Sequence, residues 1–204
     1  MFKKGIVISL CDLTGTFTLP WRENGYRAIH IDPQRIDNDT ILEMLPLIRK
    51  ALRYDKVVFV AGFPPCTDVA VSGARWFKEK ENADKHFQAK AAIIAEQCRM
   101  IGELSGAPWF FENPVSVFSS IFGKPNYTFH PHHYTGYCIN DNYTKKTCLW
   151  TGGGFVMPKP FINKSLGYPD DRIHKAPPGI ERSNIRSETP LGFSKATFIA
   201  NKPL

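Results

Sequence analysis

The sequence predicts an α/β fold built on a mostly parallel sheet with helices on both faces. Residues 5–10 (GIVISL), 56–61 (KVVFVA) and 107–111 (APWFF) are short continuous apolar runs. They lack the polar alternation of a sheet with one wet face and read as strands buried on both sides. Residues 39–54 and 82–104 instead space their apolar positions three and four apart, the pattern of amphipathic helices. A composition of 43% hydrophobic and 22% charged residues over 204 positions supports one packed core. It excludes a disordered chain, a disulfide mini-protein and a repeat array. No apolar run approaches the roughly 20 residues of a membrane span, and the start (MFKKG) leads into a strand rather than a signal peptide, so a cytoplasmic protein with no membrane partner is expected.

The first strand ends in Cys11-Asp12-Leu13-Thr14-Gly15-Thr16, small enough for a tight turn, followed by a short helix over residues 19–24 that Gly25 stops. A second strand, residues 27–31 (RAIHI), ends in Asp32. Strand, tight turn, helix and acid-tipped strand suit a nucleotide or S-adenosylmethionine, because the turn admits the ligand to the backbone and the carboxylate accepts from ribose hydroxyls. Asp32 suits the cap of a following turn equally well. After the helix of residues 39–54, the central strand 56–61 breaks at Gly62-Phe63-Pro64-Pro65-Cys66-Thr67. Two prolines cannot continue a ladder, so Cys66 is presented at the carboxyl edge of the sheet, where open α/β sheets bind ligands. Residues 68–77 read as a loop carrying Ser72, Arg75 and Trp76, groups able to meet a base or a phosphate. The long helix 82–104 places Cys98 in the core. The strand 107–114 ends in Glu112-Asn113-Pro114, and a carboxyl emerging from Trp-Phe-Phe has surroundings that raise its pKa.

Residues 121–190 are rich in Pro and Gly, with one clear strand at 145–150 (KKTCLW) and a final helix expected over 189–201. Residues 1–120 carry 15 basic and 14 acidic residues and residues 121–204 carry 11 and 5, so +6 of the net +7 lies in the second part. A basic lobe on a neutral domain suits a polyanion. The five cysteines have no paired short spacing, which argues against a disulfide framework or a four-ligand zinc site. His130, His132 and His133, near Cys138, read as a solvated surface, and no metal is expected.

The ordered set Asp12-Leu13-x-Gly15, Gly62-Phe63-Pro64-Pro65-Cys66 and Glu112-Asn113 resembles the first cofactor motif, the G-G-P-P-C motif and the E-N-V motif of the DNA cytosine-5 methyltransferases. The string PPCTDVAVSGARWF, with ENP and KKTCLW, is similar to small methyltransferase-like proteins common in bacteriophage genomes. The resemblance covers residues 5–150 and 188–201. It implies a Rossmann-like class I S-adenosylmethionine-dependent methyltransferase fold in a single domain over residues 1–204. Residues 1–120 would be the cofactor and catalytic core, 121–187 a basic segment in place of a recognition domain, and 188–204 a closing helix at the methionine end.

The resemblance also implies roles. Cys66 is the nucleophile that adds to carbon 6 of cytosine, and Glu112 holds ring nitrogen 3 and the exocyclic amine. S-adenosylmethionine is the cofactor, met by Asp12, Leu13, Gly15, Asp32 and Pro64. The substrate is DNA, with a flipped or single-stranded cytosine, met by Pro65, Asn113, Ser72, Arg75, Lys145 and Lys146. Lys145 and Lys146 stand where the family carries arginines, which favours contact with a phosphate over bidentate reading of a base. The chain departs from the family in its first motif (DLTGTFT), in Pro114 after Glu-Asn, and in having only residues 151–187 where a recognition domain would sit. Specificity is then expected to be short, absent or supplied by a protein partner. The alternative reading is an inactive or weakly active relative that binds nucleic acid or a host protein, or an enzyme that modifies cytosine nucleotides with another one-carbon donor.

Overall fold

Strand β1 (Ile6–Leu10) sends Ile6, Ile8 and Leu10 to one face of the sheet and Val7 to the other, the two-residue alternation that lets a strand anchor two layers. The structure is a computed structural model that describes residues 4–35, 44–173, 175 and 186–203. After β1 come α1 (Leu19–Glu23), β2 (Arg27–Ile31), α2 (Leu45–Tyr54) and β3 (Val57–Gly62). Next are α3 (Phe77–Ala83), α4 (Phe87–Ser105), β4 (Trp109–Pro114) and α5 (Phe118–Ile121), then β5 (Tyr127–Phe129), β6 (Thr147–Gly152) and α6 (Leu191–Asn201). The sheet order is β2-β1-β3-β4-β6-β5. The pairs β1/β2, β1/β3 and β3/β4 are parallel, and β6 runs antiparallel to both β4 and β5. This is an α/β architecture with a mostly parallel sheet, as the apolar runs predict.

The α2 and α4 face buries Ile48, Ala51, Ala91, Ala95, Cys98 and Ile101 against β1 and Phe111. The opposite face packs Trp21 of α1 and Phe193, Ala196 and Phe198 of α6 against Phe59 and Phe110. Phe110 meets the rings of Phe17, Phe63 and Phe193 at centroid distances of 5.2, 5.7 and 5.9 Å. A fully buried ring of this kind contributes about 1.5–3 kcal/mol. Among the described residues no helix is long and apolar enough to cross a membrane.

Three elements differ from the sequence reading. The helix expected over 82–104 is broken: α3 stops at Ala83, Asp84 turns extended, and its side chain accepts from the His86 N–H before α4 starts. An aspartate that offers its own cap competes with helix continuation, and here it wins. The loop at 68–77 contains a 3-10 helix, Val71–Trp76, that runs directly into α3. The segment after residue 121 completes the sheet rather than hanging from it: Phe129, Tyr134, Leu149 and Phe155 share the core of Phe193. The three residues of β5, Tyr-Thr-Phe, are too few to show a period in the sequence. Residues 39–43 of the expected second helix lie outside the described residues.

Gly62 ends β3 between Cys98 of α4 and Phe111 of β4. A Cβ there would stand 2.6 Å from Cys98 Cβ and 3.2 Å from Phe111 Cβ. Gly62→Ala is therefore expected to destabilise the protein by about 1–3 kcal/mol in a urea melt, because neither the helix nor the strand can give way cheaply.

Candidate active site

The chain crosses over between β2 and β3, so β1 has one neighbour formed before it turns back and one after. Open α/β sheets bind ligands at the carboxyl ends beside such a reversal. Every strand-end motif of the sequence lies on this edge: Cys11-Asp12 after β1, Asp32 after β2, Pro64-Pro65-Cys66 after β3, and Glu112-Asn113 at the end of β4.

The β3 and β4 ends are tied together. Phe63 N–H donates to the Leu10 carbonyl at 2.9 Å, extending the β1 pairing one residue before the prolines stop it. The buried Asn113 amide donates from Nδ2 to the Pro64 carbonyl at 2.9 Å. Beyond Cys66, Val71 N–H donates to Val115 O at 2.9 Å and Val117 N–H to Val69 O at 3.0 Å, around a bridge between Ala70 and Ser116. The Cys66 carbonyl accepts from the N–H groups of Val69 and Ala70, closing a tight turn. Lys80 of α3 holds the outer side through Thr67 O at 2.9 Å and Asp68 Oδ1 at 2.6 Å. Cys66 is thus fixed from both sides, half-buried, with Pro65 exposed beside it. Asn113→Ala should cost about 1–3 kcal/mol by thermal melting, since the Pro64 carbonyl loses its donor inside the protein.

Burial raises the pKa of the Glu112 carboxyl, with the Lys145 ammonium opposing. Its Oε2 is buried with no hydrogen-bond partner among the described residues, as is Asn113 Oδ1. Burial also raises the Cys66 thiol, and the Glu112 charge adds to that, while Lys145 and Arg186 favour the thiolate. Lys145 acts on both thiol and carboxyl, whereas Arg186 acts on the thiol.

The two lysines of KKTCLW are sorted by the structure. Lys145 is half-buried and donates to the Glu188 carbonyl at 3.1 Å, while Lys146 is exposed and acts on Cys148. Ser72 and Arg75 are exposed on the 3-10 helix beside the site, where the Arg75 guanidinium lies 5.0 Å from the Trp76 ring centroid. They follow Cys66 closely in the chain.

On the β1 side the turn is built from within. Asp12 is buried and both its oxygens are engaged: Oδ2 accepts from Ser9 at 2.7 Å, Oδ1 from the Gly15 N–H at 2.6 Å and from Thr14 at 3.3 Å. It shapes the turn rather than reaching out of it, and Leu13 is carried on that turn, half-buried. Cys11 takes a φ of 56°, the one positive value of a non-Gly described residue, at the point where β1 bends into the turn. Such backbone costs of order 1 kcal/mol and collects at functional edges. Gly15 has φ 72°, and a Cβ there would meet the His30 ring at 3.1 Å. Asp32 is buried at the end of β2, and its Oδ1 accepts from the Gln34 N–H at 2.9 Å, so it caps the 3-10 turn Pro33–Arg35. A left-handed glycine turn and a buried carboxylate thus stand at adjacent strand ends.

Arg186 is the site residue that sequence reasoning missed. It follows a Pro-rich stretch with no motif around it, and only the fold brings it to Cys66. His130, His132 and His133 contact one another at ring centroids of 4.5–5.6 Å. Burial, then His132 and His130, lower the His133 pKa. Among the described residues no cluster of His, Cys, Asp or Glu is arranged to hold a metal ion. No protein-family model matches the chain, and no curated protein sequence matches it.

Proposed function

We propose that the chain is a cytosine-5 methyltransferase acting on DNA, a variant of the class I S-adenosylmethionine-dependent fold in which Cys66 is the nucleophile. The observation that carries the proposal is the bond from Asn113 Nδ2 to the Pro64 carbonyl, which locks the Pro-Pro-Cys and Glu-Asn motifs together. A thiol and a buried carboxyl under one cation suit this chemistry. Carbon 5 of cytosine is a poor nucleophile until the Cys66 thiolate adds to carbon 6 and pushes electron density toward it. Glu112, with a raised pKa and a buried unpartnered oxygen, is suited to hold a proton at ring nitrogen 3 as that density shifts. The Gly15 turn and Asp32 would hold S-adenosylmethionine, which would supply the electrophilic methyl group when bound. Loss of the carbon 5 proton then allows the carbon–sulfur bond to break and restores Cys66.

The Asp12 bonds keep the turn open from beneath, and Lys145 favours the thiolate that burial opposes. A base inside a duplex cannot be reached at carbon 6, so the substrate is a flipped or single-stranded cytosine. Residues 153–190 between β6 and α6 are too short a stretch for a packed recognition domain, which favours a weak sequence preference. Incubating the full chain with labelled S-adenosylmethionine and duplex or single-stranded DNA, followed by nucleoside mass spectrometry, tests the proposal. 5-Methylcytosine supports it. DNA binding with no methylated base and no calorimetric binding of S-adenosylmethionine assigns the chain to nucleic-acid binding instead.

A further inference from the structure

The segment that carries Arg186 ties the β1 turn to the approach to β6 as a strap. Its Glu188 carboxylate accepts from Thr16 Oγ1 of the β1 turn at 3.2 Å, and its Glu188 carbonyl accepts from Lys145 Nζ at 3.1 Å. The strap therefore touches the cofactor-side turn with one group and the entrance to β6 with another. The negative charge of Glu188 is directed at Thr16, and neither Lys145 nor Arg186 forms an ion pair among the described residues. Both cations are half-buried, where an uncompensated charge is costly. Below them, Cys66 and Glu112 are both held toward their neutral forms. Two half-buried cations that both act on Cys66, neither in an ion pair among the described residues, are suited to an anion brought by the ligand. The buried Asn113 Oδ1 and Glu112 Oε2, without partners, mark where a ligand's donors would sit beside that anion.

We propose that Arg186 and Lys145 together clamp a phosphate attached to the nucleotide that enters the site, with Arg186 supplying the planar fork from the strap and Lys145 the point charge from the approach to β6. The inference rests on reading the site as one that takes a cytosine nucleotide. It assigns to the strap a positioning role that sequence alone gives to residues 145 and 146. Lys146 has no part in the clamp, because it is exposed and its charge acts on Cys148 and not on Cys66 or Glu112. A backbone phosphodiester and the phosphate of a free nucleotide offer the same oxygens, so experiment distinguishes them.

The test measures binding of the full chain and of Arg186→Gln, Arg186→Lys and Lys146→Gln variants to a fluorescent cytosine-containing single strand across a salt series. Deoxycytidine monophosphate and unphosphorylated deoxycytidine serve as competitors. Arg186→Gln is expected to weaken binding about tenfold and to reduce the slope of log affinity against log salt by about 0.7, the value of one phosphate contact on a single strand. Arg186→Lys should regain part of the affinity, and Lys146→Gln should change it less than twofold. Competition by the monophosphate that Arg186→Gln abolishes would assign the clamp to a free nucleotide, and an effect confined to the oligonucleotide would assign it to a backbone phosphate.

Unchanged affinity and slope in Arg186→Gln would overturn the clamp, as would equal loss for the unphosphorylated nucleoside. So would a shift only in the pH dependence of Cys66 alkylation, which would make Arg186 a thiol-tuning group. Binding does not require methyl transfer. A salt-slope effect without methylation would sustain the clamp and sink the methyltransferase reading, and methylation with no effect of Arg186→Gln would do the reverse.

Discussion

Cys66→Ser is expected to lower methyl transfer at least about 10³-fold, the scale on which loss of a nucleophile acts. A serine hydroxyl in the same half-buried turn stays protonated and adds to carbon 6 far more slowly than a thiolate. The fold should barely register the change, since the turn at Cys66 is held through its carbonyl by Val69 and Ala70 rather than through sulfur. Cys98→Ala provides the contrast: Cys98 is buried between α4 and the end of β3, so its loss should lower stability while transfer persists. Both are read by initial rates with labelled S-adenosylmethionine beside thermal melts. Because burial raises the Cys66 pKa, the wild-type rate should climb with pH beyond the range in which an ordinary exposed thiol has already ionised.

Glu112→Gln has the second largest expected effect and acts in opposite directions on rate and stability. An amide can hydrogen-bond the base but cannot hold the proton that ring nitrogen 3 needs, so transfer should fall about 10²–10³-fold. The folded protein holds the Glu112 pKa above its unfolded value. Its contribution to stability is therefore fully present below the unfolded carboxyl pKa and is lost as pH rises through the folded one. The Gln variant should match wild type in acid and exceed it at pH ~8 by about 1 kcal/mol, or ~2–4 °C in Tm for a chain of this size. Equal melting temperatures at both pH values would mean that the carboxyl is not held against ionisation.

The strand ends were legible in the sequence because each announces itself twice, by an apolar run and by the residue types that interrupt it. Pro64-Pro65 could not continue β3, so the position of Cys66 followed from backbone chemistry alone. Glu112 followed from the same logic on β4. What joins the two motifs was not legible: the Asn113 to Pro64 bond and the Val69–Val71 pairing with Val115–Val117 link residues about 50 positions apart, and no local pattern encodes them. Asp12 is an instance of the same limit. Its spacing to Gly15 fits a ligand-facing acid, yet Ser9, three residues earlier near the end of β1, supplies the donor that turns it inward. The choice between Lys145 and Lys146 depends on which side of the extended chain faces the sheet, which adjacent identical residues cannot reveal. Arg186 was hidden for a different reason, since its neighbours in sequence belong to no periodic pattern while its charge acts on Cys66, 120 positions earlier in the chain.

The covalent step is the centre of the account, and DNA containing 5-fluorocytosine tests it most directly. Fluorine at carbon 5 cannot leave as a proton does, so an enzyme that adds through Cys66 and then methylates is trapped on its substrate. Incubating the full chain with this DNA and S-adenosylmethionine, digesting it and mapping the adduct by mass spectrometry should place the added nucleotide mass on the peptide that contains Cys66. Binding of the DNA with Cys66 left free, or an adduct on another cysteine such as Cys138, would contradict the assignment.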